Sequence, residues 1–278
     1  MGMKALLITT LILWAASAAA QFGPWQKMLN AYVTETAVPG GGIQTAFDYE
    51  KAFADPNFKT WLDEQDKILG AYDRGQIKTK EQFNAFYINA YNFVMVGKIY
   101  KDGRDKKGKL KIASVKDLGS FFNPYKAFTQ KDRSVAGTKM TLDEIEKGTL
   151  LGKEAKKKGW KDARIHFAVN CASVGCPPLR KQIYTAENVN AMLDENTKKS
   201  MLTKRHLMVK GKTLHLTHLF KWYDGDFKEQ AKSVKDWVLK YIDNEDLKKK
   251  VIATNDIEFI TYDWKLNKPG NFKADGSF

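Results

Sequence analysis

Phe83, Phe86, Tyr87, Ala90, Tyr91 and Val94 recur at i, i+3, i+4, i+7, i+8 and i+11, the spacing of one helical face. A helix over residues 79–100 is predicted, with Thr79 as N-cap and Gln82 closing a capping box. The same period runs through Phe53, Phe58, Trp61, Leu62 and Ile68, where Asp55-Pro56 divides a short helix from a longer one. Thr141 caps a further helix through Glu144, and helical patterns return over residues 186–202 and 234–242. Strand signals are interspersed. Ser134–Lys139 reads as strand and turn. Arg164–Cys171 alternates, with Arg164, His166, Ala168 and Asn170 on one face. Lys210-Gly211-Lys212 joins two short strands, and Ile257–Ile260 looks like a last one. No internal repeat is visible. The expectation is α+β: a single domain, helices packed on a small mixed or antiparallel sheet. Its bounds are set at 46–270, between an N-terminal arm over 21–45 and a tail over 271–278. Phe121, Phe122, Tyr125 and Phe128 are assigned to the core. His206, His215 and His218 are expected to face solvent.

The first twenty residues carry the marks of a signal peptide: Lys4, an apolar run from Ala5 to Trp14, and a small-residue cut site at Ala18-Ala19-Ala20. Cleavage leaves Gln21 as the mature start and places the protein outside the cytoplasm, periplasmic or extracellular. No later run is long and apolar enough to span a bilayer, so no transmembrane segment is expected in the mature protein. Lysine and arginine total 46 against 32 acidic residues, a net charge of +14. An exported protein of that charge is drawn to anionic cell-envelope components, and nucleic acid is excluded as a partner by location. A monomer is expected.

The scarce chemistry is concentrated in Arg164–Arg180. It holds both cysteines, Cys171 and Cys176, and one of only four histidines, His166. In an oxidising compartment the two thiols are candidates for a disulfide, which would stabilise the fold by roughly 2 kcal/mol. That staple is weighed evenly against a functional thiol. The catalytic reading takes Cys171 or Cys176 as nucleophile, His166 as base and Glu146 to orient the imidazole, in a thiol-dependent hydrolase or transferase acting on envelope peptides or amides. Asn89 and Asn92 share one face of the 79–100 helix and either donate to substrate or hold backbone groups. Strand parity sets His166 and Cys171 on opposite faces, which weighs against it. A redox dithiol is a weaker reading, because the spacing is wider than Cys-x-x-Cys. The alternative is a non-catalytic binding module. There Arg164, His166 and Asn170, with Arg180 and the helix amides Asn89 and Asn92, hold an anionic ligand while a Cys171–Cys176 disulfide shapes the loop. No metal site and no cofactor are implied.

Five stretches carry a resemblance to the family catalogued as domain of unknown function 547. They are Ala85–Asn92, Leu142–Glu146, Arg164–Arg180, Phe220–Tyr223 with Asp226-Phe227, and Tyr262–Asn267. The resemblance implies no assigned activity. Some eukaryotic relatives are joined to glutaredoxin-like modules, which associates the family with thiol chemistry. After Glu146 the family usually carries a histidine and, a few residues on, an arginine; here Lys147 and Leu151 stand there.

Overall fold

The computed structural model describes residues 21–277. The expected signal peptide and its cut site therefore lie outside the described residues. Nothing between residues 21 and 45 behaves as a loose arm. Pro24 sits in the first turn of helix α1 (Gly23–Tyr32), where its missing N–H costs nothing. That helix buries Trp25, Met28, Leu29 and Tyr32. Strands β1 (Val33–Ala37) and β2 (Ile43–Phe47) follow as an antiparallel hairpin. The break at Asp55-Pro56 is where it was expected: α2 (Tyr49–Ala54) ends and α3 (Pro56–Ala71) begins, with the Asp55 carboxylate accepting from the Asn57 N–H.

Helix α4 (Lys80–Asp102) organises the larger core. Thr79 and Gln82 form the reciprocal capping box. Every residue from Asn84 to Ile99 is buried, so the helix is wrapped on all sides. A short hairpin, β3 (Arg133–Val135) and β4 (Thr138–Met140), turns through Ala136 and Gly137, both at positive φ. Thr141 and Glu144 exchange hydrogen bonds as the chain enters a wide π-type helical turn over Glu144–Leu150.

Residues 164–171 are not a strand. Asp162 caps a tight 3-10 turn over Ala163–Phe167, and an irregular loop follows. The apparent alternation arose because apolar residues alternate in sequence with His166 and Asn170, which are themselves buried and hydrogen-bonded to partners far away in sequence.

Beyond α5 (Val189–Met201) a smaller core forms around a three-stranded sheet. Strand β5 (Leu207–Lys210) pairs antiparallel with β6 (Thr213–Thr217). After helices α6 (Leu219–Trp222), α7 (Asp224–Lys228), α8 (Val234–Leu239) and α9 (Glu245–Ile252), strand β7 (Asp256–Ile260) returns parallel to β6. This mixed sheet and the two hairpins make the fold α+β, in a single domain. Phe167, Phe220, Phe227 and Trp237 fill the second core. Trp264 packs against both cores.

Two assignments are corrected. Phe121 and Phe122 are 95% and 94% exposed, not core. His206 is buried rather than solvent-facing, and burial, helped by the Arg205 charge, pushes its pKa down to about 3. No helix among the described residues is long and apolar enough to cross a membrane.

Candidate functional site

A cavity of about 580 Å³ opens where the two cores meet. Its walls are mostly aromatic: Tyr91, Tyr125, Phe128, Trp222, Tyr223, Tyr262 and Trp264. Its polar groups are few: Asp143, Glu146, Lys147, His166 and the cysteine pair. Mostly apolar walls with a few convergent polar groups are the usual anatomy of a small-molecule or peptide site.

His166 is the most constrained of these. Its side chain is fully buried, at the end of the 3-10 turn. Nε2 donates to Asp226 Oδ2 at 2.8 Å, and Tyr223 stacks on the ring at 3.9 Å between centroids. Nδ1 has no hydrogen-bond partner and lies 3.7 Å from Glu146 Oε1. Burial alone would lower the imidazole pKa. The Asp226 and Glu146 carboxylates outweigh it, and the net shift is upward from 6.5. Asp226 also meets Lys161 at 2.6 Å. Burial would raise the Asp226 pKa, but His166 and Lys161 hold it below 3.8. Burial, with the Glu146 charge, keeps Tyr223 protonated far above the ordinary tyrosine range.

Cys171 and Cys176 are joined as a disulfide with Cα atoms 6.2 Å apart. Cys171 is partly exposed and Cys176 is 8% exposed. The loop that carries them is tied down at each end. Asn170 donates through Nδ2 to the Pro177 carbonyl (2.7 Å), and its Oδ1 accepts from the Ala172 N–H (2.8 Å) and from Asn267 Nδ2 (3.1 Å). These bonds hold Ala172 at φ +61°, a left-handed conformation that costs a non-glycine residue about 1 kcal/mol. The C-terminal stretch then runs alongside. Val174 N–H donates to Lys265 O, Gly175 N–H to Asp263 O, and Asn267 N–H to Ala172 O. A Cβ on Gly175 would come within 2.8 Å of the Tyr262 ring, so only glycine lets that ring approach.

Tyr262 thereby reaches the sulfurs. Its hydroxyl lies 3.0 Å from Cys176 Sγ and 3.2 Å from Cys171 Sγ. The Ser173 hydroxyl donates to Tyr262 Oη, leaving the phenolic proton for a sulfur. The Cys171 N–H also donates to Cys176 Sγ, at 2.9 Å. Burial holds the phenol protonated above its ordinary range.

Of the residues singled out in the sequence, His166, Glu146, Cys171 and Cys176 are brought together at one cavity. The strand-parity objection disappears with the strand. The two helix amides are spent on backbone. Asn89 clasps both polar groups of Tyr184, and Asn92 holds Ala168 O (3.0 Å) and Asn170 N–H (2.8 Å). Neither arginine lines the cavity. Arg164 pairs with Asp162 and Asp194, and Arg180 with Glu35 and Glu195. Lys147, where the family carries a histidine, pairs with Asp143 at the cavity wall. Sequence reasoning missed Asp226, although it stands in a stretch that carries the family resemblance. No local pattern links it to a histidine sixty residues earlier.

No curated protein and no solved structure matches the chain. Residues 76–200 match the family described as "Protein of unknown function, DUF547", and this segment supplies α4, Glu146, His166 and both cysteines. Over that segment, rather less than half of the chain, it is similar to the DUF547 family.

Proposed function

We propose that the cavity is a thiol-dependent hydrolase or transferase site for peptide or amide substrates, stored as a disulfide and active when reduced. The observation that carries this is His166. A fully buried imidazole is fixed by Asp226 through one nitrogen, while the other has no hydrogen-bond partner and lies 3.7 Å from Glu146, in the wall of a cavity that the cysteine pair also lines. A base oriented by a carboxylate beside a thiol is the arrangement that thiol acyl transfer requires. Asp226 takes the orienting role first considered for Glu146. Glu146 lies on the other side of the ring and supports its positive charge.

Activation needs an external thiol reductant. Its thiolate attacks the more accessible sulfur, Cys171, and Cys176 leaves as a thiolate. The Cys171 N–H and the Tyr262 hydroxyl are placed to receive that charge. A second reductant thiol then attacks the mixed disulfide, releasing Cys171 and the oxidised reductant. In the reduced enzyme His166 takes the Cys171 proton. The sulfur bonds to the amide carbonyl carbon, the C–N bond breaks, and His166 returns the proton to the departing amine. Water or an acceptor amine then cleaves the thioester. An imidazolium with a raised pKa favours the thiolate partner. Export to an oxidising compartment, as the N-terminal sequence suggests, would keep the resting form closed.

The closed disulfide and the aromatic walls also favour a second reading, a stapled binding cavity without catalysis. A panel of chromogenic peptide amides, assayed with and without dithiothreitol, separates the two. Hydrolysis that requires the reductant and disappears in Cys171→Ser and in His166→Ala supports the enzyme. Ligand binding that is unchanged by reduction, with no turnover of any amide, supports the stapled cavity.

A further inference from the structure

Phe121 and Phe122 are the two central residues of a tight turn. Ser120 N–H donates to Asn123 O and Asn123 N–H to Ser120 O, each at 3.1 Å, and the Ser120 hydroxyl accepts from the Asn123 N–H as well. Gly119 makes the turn possible, because a Cβ there would lie 2.3 Å from Asn123 O. The tip is thus a built structure, and it holds two phenyl rings 5.4 Å apart that are almost wholly exposed. Scattered surface apolar residues need no account, but two adjacent, fully exposed phenylalanines at a fixed turn do.

We propose that this tip is a wedge that inserts into the surface of an anionic lipid bilayer. Three observations select that occupant. The two rings are almost wholly exposed at a turn tip, so they can enter a fluid interface without a complementary pocket. Lys116 and Lys126 flank the tip, and residues 101–131 carry nine lysines and arginines against three aspartates; with Lys101 and Lys131 paired to Asp132 and Glu144, a positive excess still remains to suit anionic headgroups. The half-exposed rings of Tyr125 and Trp222, at 44% and 45%, both pack on Trp264, with Lys116 lying over Tyr125 and Trp264. Aromatic rings and lysines together are the anchors of an interfacial protein. Tyr125 and Trp222 also line the cavity, so docking by this tip turns the cavity mouth toward the membrane. The inference stands independently of the reaction proposed for the cavity.

The test is sedimentation of the full chain with vesicles of phosphatidylcholine alone and with added phosphatidylglycerol, for the native protein and for Phe121→Ser/Phe122→Ser. Both substituted side chains are exposed, so the fold is not at risk. A sedimentation-velocity run without lipid accompanies it. The native protein is expected to bind the anionic vesicles and not the neutral ones, and the double variant to bind at least about tenfold more weakly. Absence of binding to anionic vesicles overturns the proposal. So does binding that the double substitution leaves unchanged, since charge alone would then explain it. A dimer in lipid-free solution that the substitution dissolves also overturns it, because a second copy would then be what covers the tip.

Discussion

Replacing Asp226 by asparagine tests the arrangement around His166 with little change in shape. The carboxylate accepts a hydrogen bond from a fully buried imidazole and another from Lys161, whose side chain is 12% exposed. Asp226 is itself 21% exposed, so solvent weakens both contacts. A hydrogen bond to a charged group contributes about 1.5–3 kcal/mol, and the partly exposed Asp226–Lys161 contact adds less. The expected loss is about 2 kcal/mol at mildly acidic pH. The pH dependence fixes the cause. The His166 pKa is raised in the fold, so its contribution is complete below 6.5 and is lost as pH rises through the folded value. The Asp226 pKa is lowered, so its contribution is complete above 3.8 and is lost as pH falls through the folded value. The pair therefore stabilises most between those two ordinary values. Urea unfolding across that window and on into alkaline pH should show the native protein losing its margin over Asp226→Asn as pH rises. A variant as stable as the native protein, or a difference that does not change with pH, would refute the claim that His166 is held as a cation by this carboxylate.

Three further outcomes follow from the same geometry. Cys176→Ser should lose about 2 kcal/mol under oxidising conditions and nothing relative to the native protein in strong reductant, measured by thermal unfolding in both. Gly175→Ala should displace the Tyr262 ring at a cost of about 1–3 kcal/mol, seen as lowered stability together with a changed Trp264 emission. Asn92→Ala leaves the Ala168 carbonyl and the Asn170 N–H unpaired in the interior. A loss of about 3 kcal/mol is expected, with faster amide exchange confined to residues near 168–172.

What the sequence made legible was local. The capping boxes at Thr79 and Thr141, the break at Asp55-Pro56 and the turn at Lys210-Gly211-Lys212 each act within a few residues, and each forms where expected. The helical stripe of Trp25, Met28, Leu29 and Tyr32 behind Pro24 is equally local, although residues 21–45 were expected to form an arm. The stretch around His166 was not readable by the same means. Its polar residues are buried by partners such as Asp226, Asn92 and Asn267, and their alternation mimicked a strand face. Phe121 and Phe122 show the opposite failure. Apolar character indicates a preference for leaving water, and the structure leaves these two rings at a turn tip with no protein to cover them. Three of the cavity-lining residues, His166, Cys171 and Cys176, were legible because the chain has so few cysteines and histidines. Asp226, one of many aspartates, became visible only when the fold set it against the imidazole.

The central claim is that Cys171 and His166 form a reactive pair once the disulfide opens. The most direct test is the pH dependence of Cys171 alkylation in the mildly reduced protein, followed by mass spectrometry of the 164–180 peptide, for the native chain and for His166→Ala. The expected result is a Cys171 thiol that titrates well below the ordinary value of about 8.5 in the native protein and returns toward it in the variant. A disulfide that resists mild reductant, or a thiol of ordinary pKa unmoved by loss of His166, would contradict the account and leave a stapled cavity.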